Sequence, residues 1–446
     1  MRQTELSREW KMMQKIAAVF CAAILLTVLC AACKAKELPD TYVEGSDYQY
    51  MQTTNELSYP RVQQGDSVTY FCYRGFLYYF DESTRVILPL CSRADCLHDR
   101  ETDTARLADC NAYILQEDLL GNNTAIAYCN GYIYCIPNAV SEANILYRIS
   151  RDGTKKDVIY KWEEGAHIEE WIIHRDILYY VNHTYVVEGD TLESQYSLNA
   201  LRLSSSSLRS ETIYTTGEEL TVLNLGALQA YGNYIYFEIH AVKNSDEEYT
   251  TDEYFDYYMY ARTMVYDTQN QEYTELSLPN TARGTLVMSP VFWQDRMILK
   301  PYDLEKDGSE SMTVYIADLD GSNVEILFED VRQDYRLISD GEYLYLTDSL
   351  GDNWRVATFY QVYNSDLQVI DTFVPPDYFD VDLRVGADSM IYPFDRSIDE
   401  DGNVIYEYNA TFFTEPSADV WGVMVWDKST IGTYHGGDIE LTQILR

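Results

Sequence analysis

Four residues with the chemistry of metal ligands crowd into one short stretch: Cys91, Cys96, His98 and Cys110. Thiolates and imidazole are what tetrahedral zinc takes, and three cysteines with one histidine complete its shell. A closed set of this kind serves structure, because no position stays open for water or substrate. The spacing, C-x4-C-x-H-x11-C, matches no standard zinc module. In an oxidising compartment the same thiols could pair instead, Cys91 with Cys96 or either with Cys110. Free buried thiols are the third reading. The candidate site is thus a metal set of Cys91, Cys96, His98 and Cys110, or a disulfide among them, with structural zinc as the one implied cofactor.

Little else has the form of chemistry. No G-x-S-x-G elbow, phosphate loop or H-E-x-x-H stands in the chain. His167, His174, His183, His240 and His435 lie in no nucleophile or metal motif. Carboxylates are so numerous that some pair must fall at the separation a glycosidase uses, so such a pair carries no information. The acidic, Tyr-rich stretch from Asp246 to Tyr260 reads as a solvated loop, although it could stack a sugar or hold a cation. Asp399 to Asn403 resembles half a calcium loop but lacks the later bidentate Glu, and reads better as a hairpin turn. No catalytic residue is assigned, and the ligand-binding residues stay unknown.

The compartment is set by the N-terminus. Arg2, Arg8, Lys11 and Lys15 make a basic start, and Ile16 to Leu29 is uncharged and apolar. Such a run is too short to span a bilayer and has the form of a secretory signal. It ends in Ala31-Ala32-Cys33, which resembles a bacterial lipobox, with Cys30 where that family usually has Leu. The resemblance implies a signal peptide over residues 1–32, cleavage before Cys33, acylation of Cys33 and attachment to the extracytoplasmic face of the bacterial cell membrane. Residues 33–59 then form a tether and 60–446 the folded part.

Charge narrows the partners. The chain has 33 basic and 72 acidic residues; residues 1–32 take four and two of them, leaving 29 and 70 and a formal charge of −41. Such a surface excludes nucleic acid and repels anionic lipid. The 41 tyrosines and 46% hydrophobic content nevertheless belong to a folded chain, since disordered acidic chains lack such aromatics.

The elements that must position the cluster are strands in a repeat. A turn or polar residue, one variable residue, an aliphatic and a large residue recur with anchors at Leu77, Ile133, Leu178, Ile235, Met297, Leu344 and Met390. The anchors stand 56, 45, 57, 62, 47 and 46 residues apart. Several copies are followed by an apolar strand, an Asp-Gly turn and another apolar strand, as at Asp152-Gly153 and Asp320-Gly321. Tyr, Val and Ile suit pleated surfaces, and Asn-Gly or Asp-Gly supply the positive φ of tight hairpins. Two hairpins per repeat make the four-stranded blade of a β-propeller. The expectation is an all-β chain with a single propeller of seven blades, six or eight being the neighbouring counts; two stacked sandwiches are the alternative. Ile439 to Leu445 is the candidate for a strand that completes a blade begun at the other terminus. Alternation places Cys129 on the side of Tyr132 and Tyr134, and Cys135 on the opposite side. With Cys72, they read as packing residues.

Gly341-Glu342-Tyr343-Leu344-Tyr345-Leu346-Thr347-Asp348 resembles the strand signature of YWTD-type propellers, found in low-density-lipoprotein receptors and bacterial surface lipoproteins. Ile316 to Asn323 and Tyr147 to Gly153 are similar to their second signature. The resemblance spans most of residues 65–395 and implies the fold, without a particular ligand. The functional expectation is a lipid-anchored, non-catalytic propeller that binds a glycan or a protein partner. The alternatives are an envelope-assembly scaffold and a carbohydrate-active enzyme with carboxylates in the central funnel.

Overall fold

A computed structural model describes residues 38–446 apart from 44–45, 48–51, 54–61, 65–67, 74, 115–125, 138–143, 164, 189–190, 206, 217–219, 244–259, 280–284, 288–289, 304–309, 349–357, 376–388, 399–403, 408–419 and 440–441. Cys33, the signal segment, nearly all of the stretch from Asp246 to Tyr260, and Asp399 to Asn403 lie outside the described residues. Two compact units divide the chain, Met1–Asp40 and Thr41–Arg446. The second therefore takes in the part of the expected 33–59 tether that follows Asp40. Among the described residues, no helix is long and apolar enough to cross a membrane.

The unit Thr41–Arg446 is a single all-β propeller. Among the described residues, six sheets have the four antiparallel strands of a blade, not the seven expected from the repeat. The sheet of the sixth anchor, Leu344, is five-stranded, because Gln52–Thr53 adds itself to the inner strand Arg336–Ser339. A two-stranded ribbon, Thr285–Val287 with Pro301–Asp303, accompanies the sheet of Met297. Leu77, Ile133, Leu178, Ile235, Met297 and Leu344 are all 0% exposed, so the repeat marks fully buried residues of these sheets.

Hairpin chemistry sets the register. Asn130 and Gly131 have φ of +50° and +79°, both in the left-handed region that a two-residue hairpin of this twist demands. The turn pairs Ile126–Cys129 with Tyr132–Cys135. Alternation then splits the second sheet between two cores. Cys129, Tyr134 and Leu146 meet Trp171, Leu178 and Tyr180 of the next sheet. Ile133, Cys135 and Ile149 meet Tyr70, Cys72 and Leu77 of the sheet before.

The same contact repeats around the ring. Val181 and Leu198 pack on Leu225 and Phe237. Tyr236 and Val265 pack on Phe292 and Met297. Ile298 and Val314 pack on Leu337 and Leu344. Tyr345 and Phe373 lie edge-on to Trp426. Val423 and Val425 of the last sheet close the circuit on Phe71, Tyr78 and Phe80 of the first. The expected exchange of a terminal strand at this closure is not what the described residues do. Thr442–Leu445 pairs with Val420–Asp427, its own neighbour in sequence, and the N-terminal Gln52–Thr53 joins a different sheet. Side-chain packing, not a shared strand, joins the first sheet to the last.

Two of the chain's buried ionisable sites bear on its stability. Lys428 Nζ lies 2.7 Å from Asp340 Oδ2, with both side chains buried. Asp340 also accepts from the Tyr345 hydroxyl at 2.7 Å and the Glu342 amide at 2.9 Å. Removing one partner of such a pair strands the other in low dielectric. Lys428→Met is expected to destabilise the protein by about 3–5 kcal/mol, read as a lower urea midpoint; an unchanged midpoint would show that the pair contributes nothing.

Glu170 is the second. It is wholly buried, and Oε1 accepts the Leu228 amide of the next sheet at 2.9 Å. Burial pushes its carboxyl up from 4.5 to about 7; the Leu228 and Ala227 amides oppose the rise and Glu238 and Glu169 add to it. Because the folded value is raised, its stabilising contribution is full below about pH 4.5 and is lost as pH rises through about 7. The difference amounts to about 3 kcal/mol. Glu170→Gln removes the titration, so the variant should gain stability over the parent between pH 4.5 and pH 8 in urea unfolding. A gap between the two proteins that stays constant over that range would refute the assignment.

Candidate metal centre

The candidate ligands lie on one loop, from Leu90 to Ile114, that leaves the outer edge of the first sheet after Val86–Pro89. Two short turns of helix fold it back: His98–Arg100, and Thr104–Leu107, whose N-cap Asp103 accepts the Ala105 amide at 3.0 Å. The returning segment is stitched to the sheet through Leu77 N–H to Ala112 O and Ile114 N–H to Gly75 O. Cys91 and Cys110, distant in sequence, are thereby brought together.

The structure unites all four residues. Their ligand atoms lie within 4.8 Å of one another. Cys110 Sγ is 3.7 Å from His98 Nδ1. Tetrahedral zinc, with bonds of about 2.3 Å to sulfur and about 2.05 Å to nitrogen, places a sulfur and a nitrogen ligand about 3.6 Å apart and two sulfurs about 3.8 Å apart. The sulfurs of Cys91, Cys96 and Cys110 all fall within that 4.8 Å. All three are free thiols. His98 adopts a φ of +54°, uncommon for a residue with a side chain.

The electrostatics are uneven. Burial opposes ionisation of Cys91, but the Arg93 and Asn111 amides, then the Cys110 and Cys96 thiols, outweigh it and hold Cys91 below its ordinary value. Burial and the Cys96 contact push Cys110 up to about 12, against one amide, that of Ala112. Burial also lowers His98; Asp99 resists this and Arg446 adds to it, which favours the neutral ring that a metal needs. Amides aimed at sulfur are the outer shell that steadies thiolate ligands.

Residues that the sequence did not connect to the cluster hold the loop. Gly153, in the Asp152-Gly153 turn of the second sheet, accepts from the Ser92 amide at 3.2 Å and from Asn111 Nδ2 at 2.8 Å. Asp99 accepts from the Tyr78 hydroxyl at 3.0 Å and from Arg446 Nη2 at 2.6 Å. Lys156 donates to Tyr113 O. Only the position of Asp99 beside His98 offered a local signal; Arg446 is 347 residues away.

The other candidates stay apart from this cluster. Cys72, Cys129 and Cys135 are buried free thiols in the sheets, as the alternation predicts. His174 Nε2 contacts Gly232 O at 2.7 Å. His183 pairs with Glu169 and stacks on Tyr196, and His240 pairs with Glu238.

No protein-family model matches the sequence, nor does any curated protein. Solved structures are similar in fold at low identity. An oligogalacturonate lyase from Vibrio parahaemolyticus is 12% identical, with a TM-score of 0.46 over 80% of this chain and 90% of its own. Dipeptidyl peptidase 4 from Porphyromonas gingivalis is 10% identical, with a TM-score of 0.44 over 86% of this chain and 59% of its own. A protein described as a putative TolB from Agrobacterium tumefaciens is 13% identical, with a TM-score of 0.31 over 60% of this chain and 80% of its own. At these values none bears on activity, and the propeller rests on its own sheets.

The turn beneath the cluster offers a test. A Cβ on Gly153, at φ +67°, would meet the Leu90 carbonyl carbon and the Cys91 nitrogen at 2.7 and 2.8 Å. Gly153→Ala should cost more than about 1 kcal/mol and speed alkylation of Cys91. A variant with parental melting temperature and parental Cys91 labelling would contradict that packing.

Proposed function

We propose that the chain is an exported lipoprotein, acylated on Cys33, whose propeller is a non-catalytic module that binds a glycan or protein partner on the face turned away from the membrane. The observation that carries this reading is a strap, in which Thr41, Tyr42 and Asp47 dock across the turns of three successive sheets. Arg175 grips both oxygens of the buried Asp47, at 2.7 and 2.9 Å, and donates to Thr41 O at 2.8 Å. Its remaining fork reaches Asn233 Oδ1 at 2.6 Å. The Tyr42 amide donates to Asp295 Oδ1 at 3.1 Å, and the Tyr42 ring lies 6.1 Å from that of Tyr231.

Arg175, Asn233 and Asp295 occupy the connections between the first and second strands of their sheets. In a ring of such sheets these connections all emerge on one face. Seven residues separate Cys33 from Thr41, so eight steps of chain reach at most about 28 Å. A lipid on Cys33 would therefore hold Thr41 within that length of its anchor. The opposite face carries the long hairpin of Ile177–Glu188 and Thr191–Arg202, and there we place the partner. Loops on a rigid scaffold are where binding residues gather.

Two measurements on the full chain test this. Cys33→Ser should move the intact protein from the membrane to the soluble fraction. With the parent in detergent, one class among cell-wall glycans and peptides should raise the melting temperature, since at a hundredfold excess over Kd a ligand adds about 2.7 kcal/mol, and none should be turned over. Membrane retention of the variant would defeat the anchor, and product accumulating from any glycan would defeat the non-catalytic reading.

A further inference from the structure

The seam between the first and last sheets differs from the others in the ring. Chain passes directly from each sheet to the next everywhere else, whereas here the two ends of the propeller meet. Val423, Val425 and Ile444 come from the last sheet. They share one core with Phe71, Tyr78 and Phe80 of the first, and Cys91, Cys96 and Cys110 belong to that core too. Arg446, the final residue, donates to Asp99, next to His98, and to Ile87 O at 3.1 Å on the outer strand of the first sheet. Its guanidinium lies 4.9 Å from the Tyr78 ring centre. The cysteine loop is thus bonded to the second sheet through Gly153, to the first through Ala112 and to the last through Asp99.

We infer that Cys91, Cys96, His98 Nδ1 and Cys110 bind one zinc ion, and that the ion fixes the loop which clasps the last sheet to the first. The donor set is complete, three sulfurs and a nitrogen at separations that one tetrahedral ion spans. A disulfide would use two of the three sulfurs and leave the third unpaired. Binding releases the thiol protons to solvent and leaves a centre of net charge −1. Cations already stand on the loop: Arg446 donates to Asp99, next to His98, and Lys156 donates to Tyr113 O. The four ligands fill the shell, so the ion is structural. Without it, the loop holding Asp99 loses the crosslink that keeps Arg446 docked.

The full chain, purified in detergent under reducing conditions, tests both halves. Elemental analysis should give one zinc per chain, and exchange for Co2+ should produce the thiolate-to-cobalt charge-transfer absorption of a tetrahedral sulfur-rich site. Cys91, Cys96 and Cys110 should resist alkylation until a chelator is added. On chelation, amide hydrogen exchange should speed at least tenfold in Val420–Asp427, Thr442–Leu445 and Val86–Pro89, and stay unchanged in Tyr234–Lys243. Arg446→Ala should keep its zinc yet exchange fast at the same strands. No metal, or a mass lowered by a pair of hydrogens as a disulfide requires, overturns the site. Zinc that can be removed without changing exchange at the seam overturns the clasp.

Discussion

A sheet that is apolar on both faces cannot stop growing sideways until it meets itself. That constraint governs this chain. Six of the repeats bury their aliphatic anchor completely and turn aromatic and aliphatic groups to both sides. A single repeat would leave two greasy faces in water, and so would a row of them. Only a closed ring removes both ends, and closure makes the meeting of first and last sheets the one contact that chain connectivity does not guarantee. The cysteine loop, the C-terminal arginine and the valines of the last sheet all converge there.

The fold was legible because its determinants are local. The anchors from Leu77 to Leu344 announce themselves by spacing, and Asn130-Gly131 by the backbone angles that only certain residues accept. Cys129 and Cys135 could be assigned to opposite cores from a two-residue period alone. The cysteine and histidine cluster was legible as a composition, four soft ligands in one loop, though not as a geometry. What escaped the sequence is long-range. Gln52–Thr53 carries no pattern that assigns it to Arg336–Ser339, and this one strand makes the sheet of Leu344 five-stranded. Asp99 and Arg446 look like two more surface charges until the ring brings them together. Thr41 to Asp47 reads as leash, because a buried Asp is recognisable only once its Arg175 is known.

The strongly acidic surface and the few buried cations belong to the same design. Lys428, Lys156 and Arg175 are each placed where a carboxylate, a thiol or a carbonyl would otherwise be stranded between sheets. Cations are scarce in this chain, and several of them are spent at joints. The chain as a whole stays strongly acidic, with a formal charge of −39.

The Arg175–Asp47 grip also decides how the molecule would respond to tension. A pull on the chain ahead of Thr41 reaches that clamp before it reaches Gln52–Thr53 or Val62–Gln64. Load therefore enters through rigid turns of three neighbouring sheets, and not by peeling a short strand from an edge one hydrogen bond at a time. The strap works as strain relief, like the knot that keeps a cord from tugging on its solder joint.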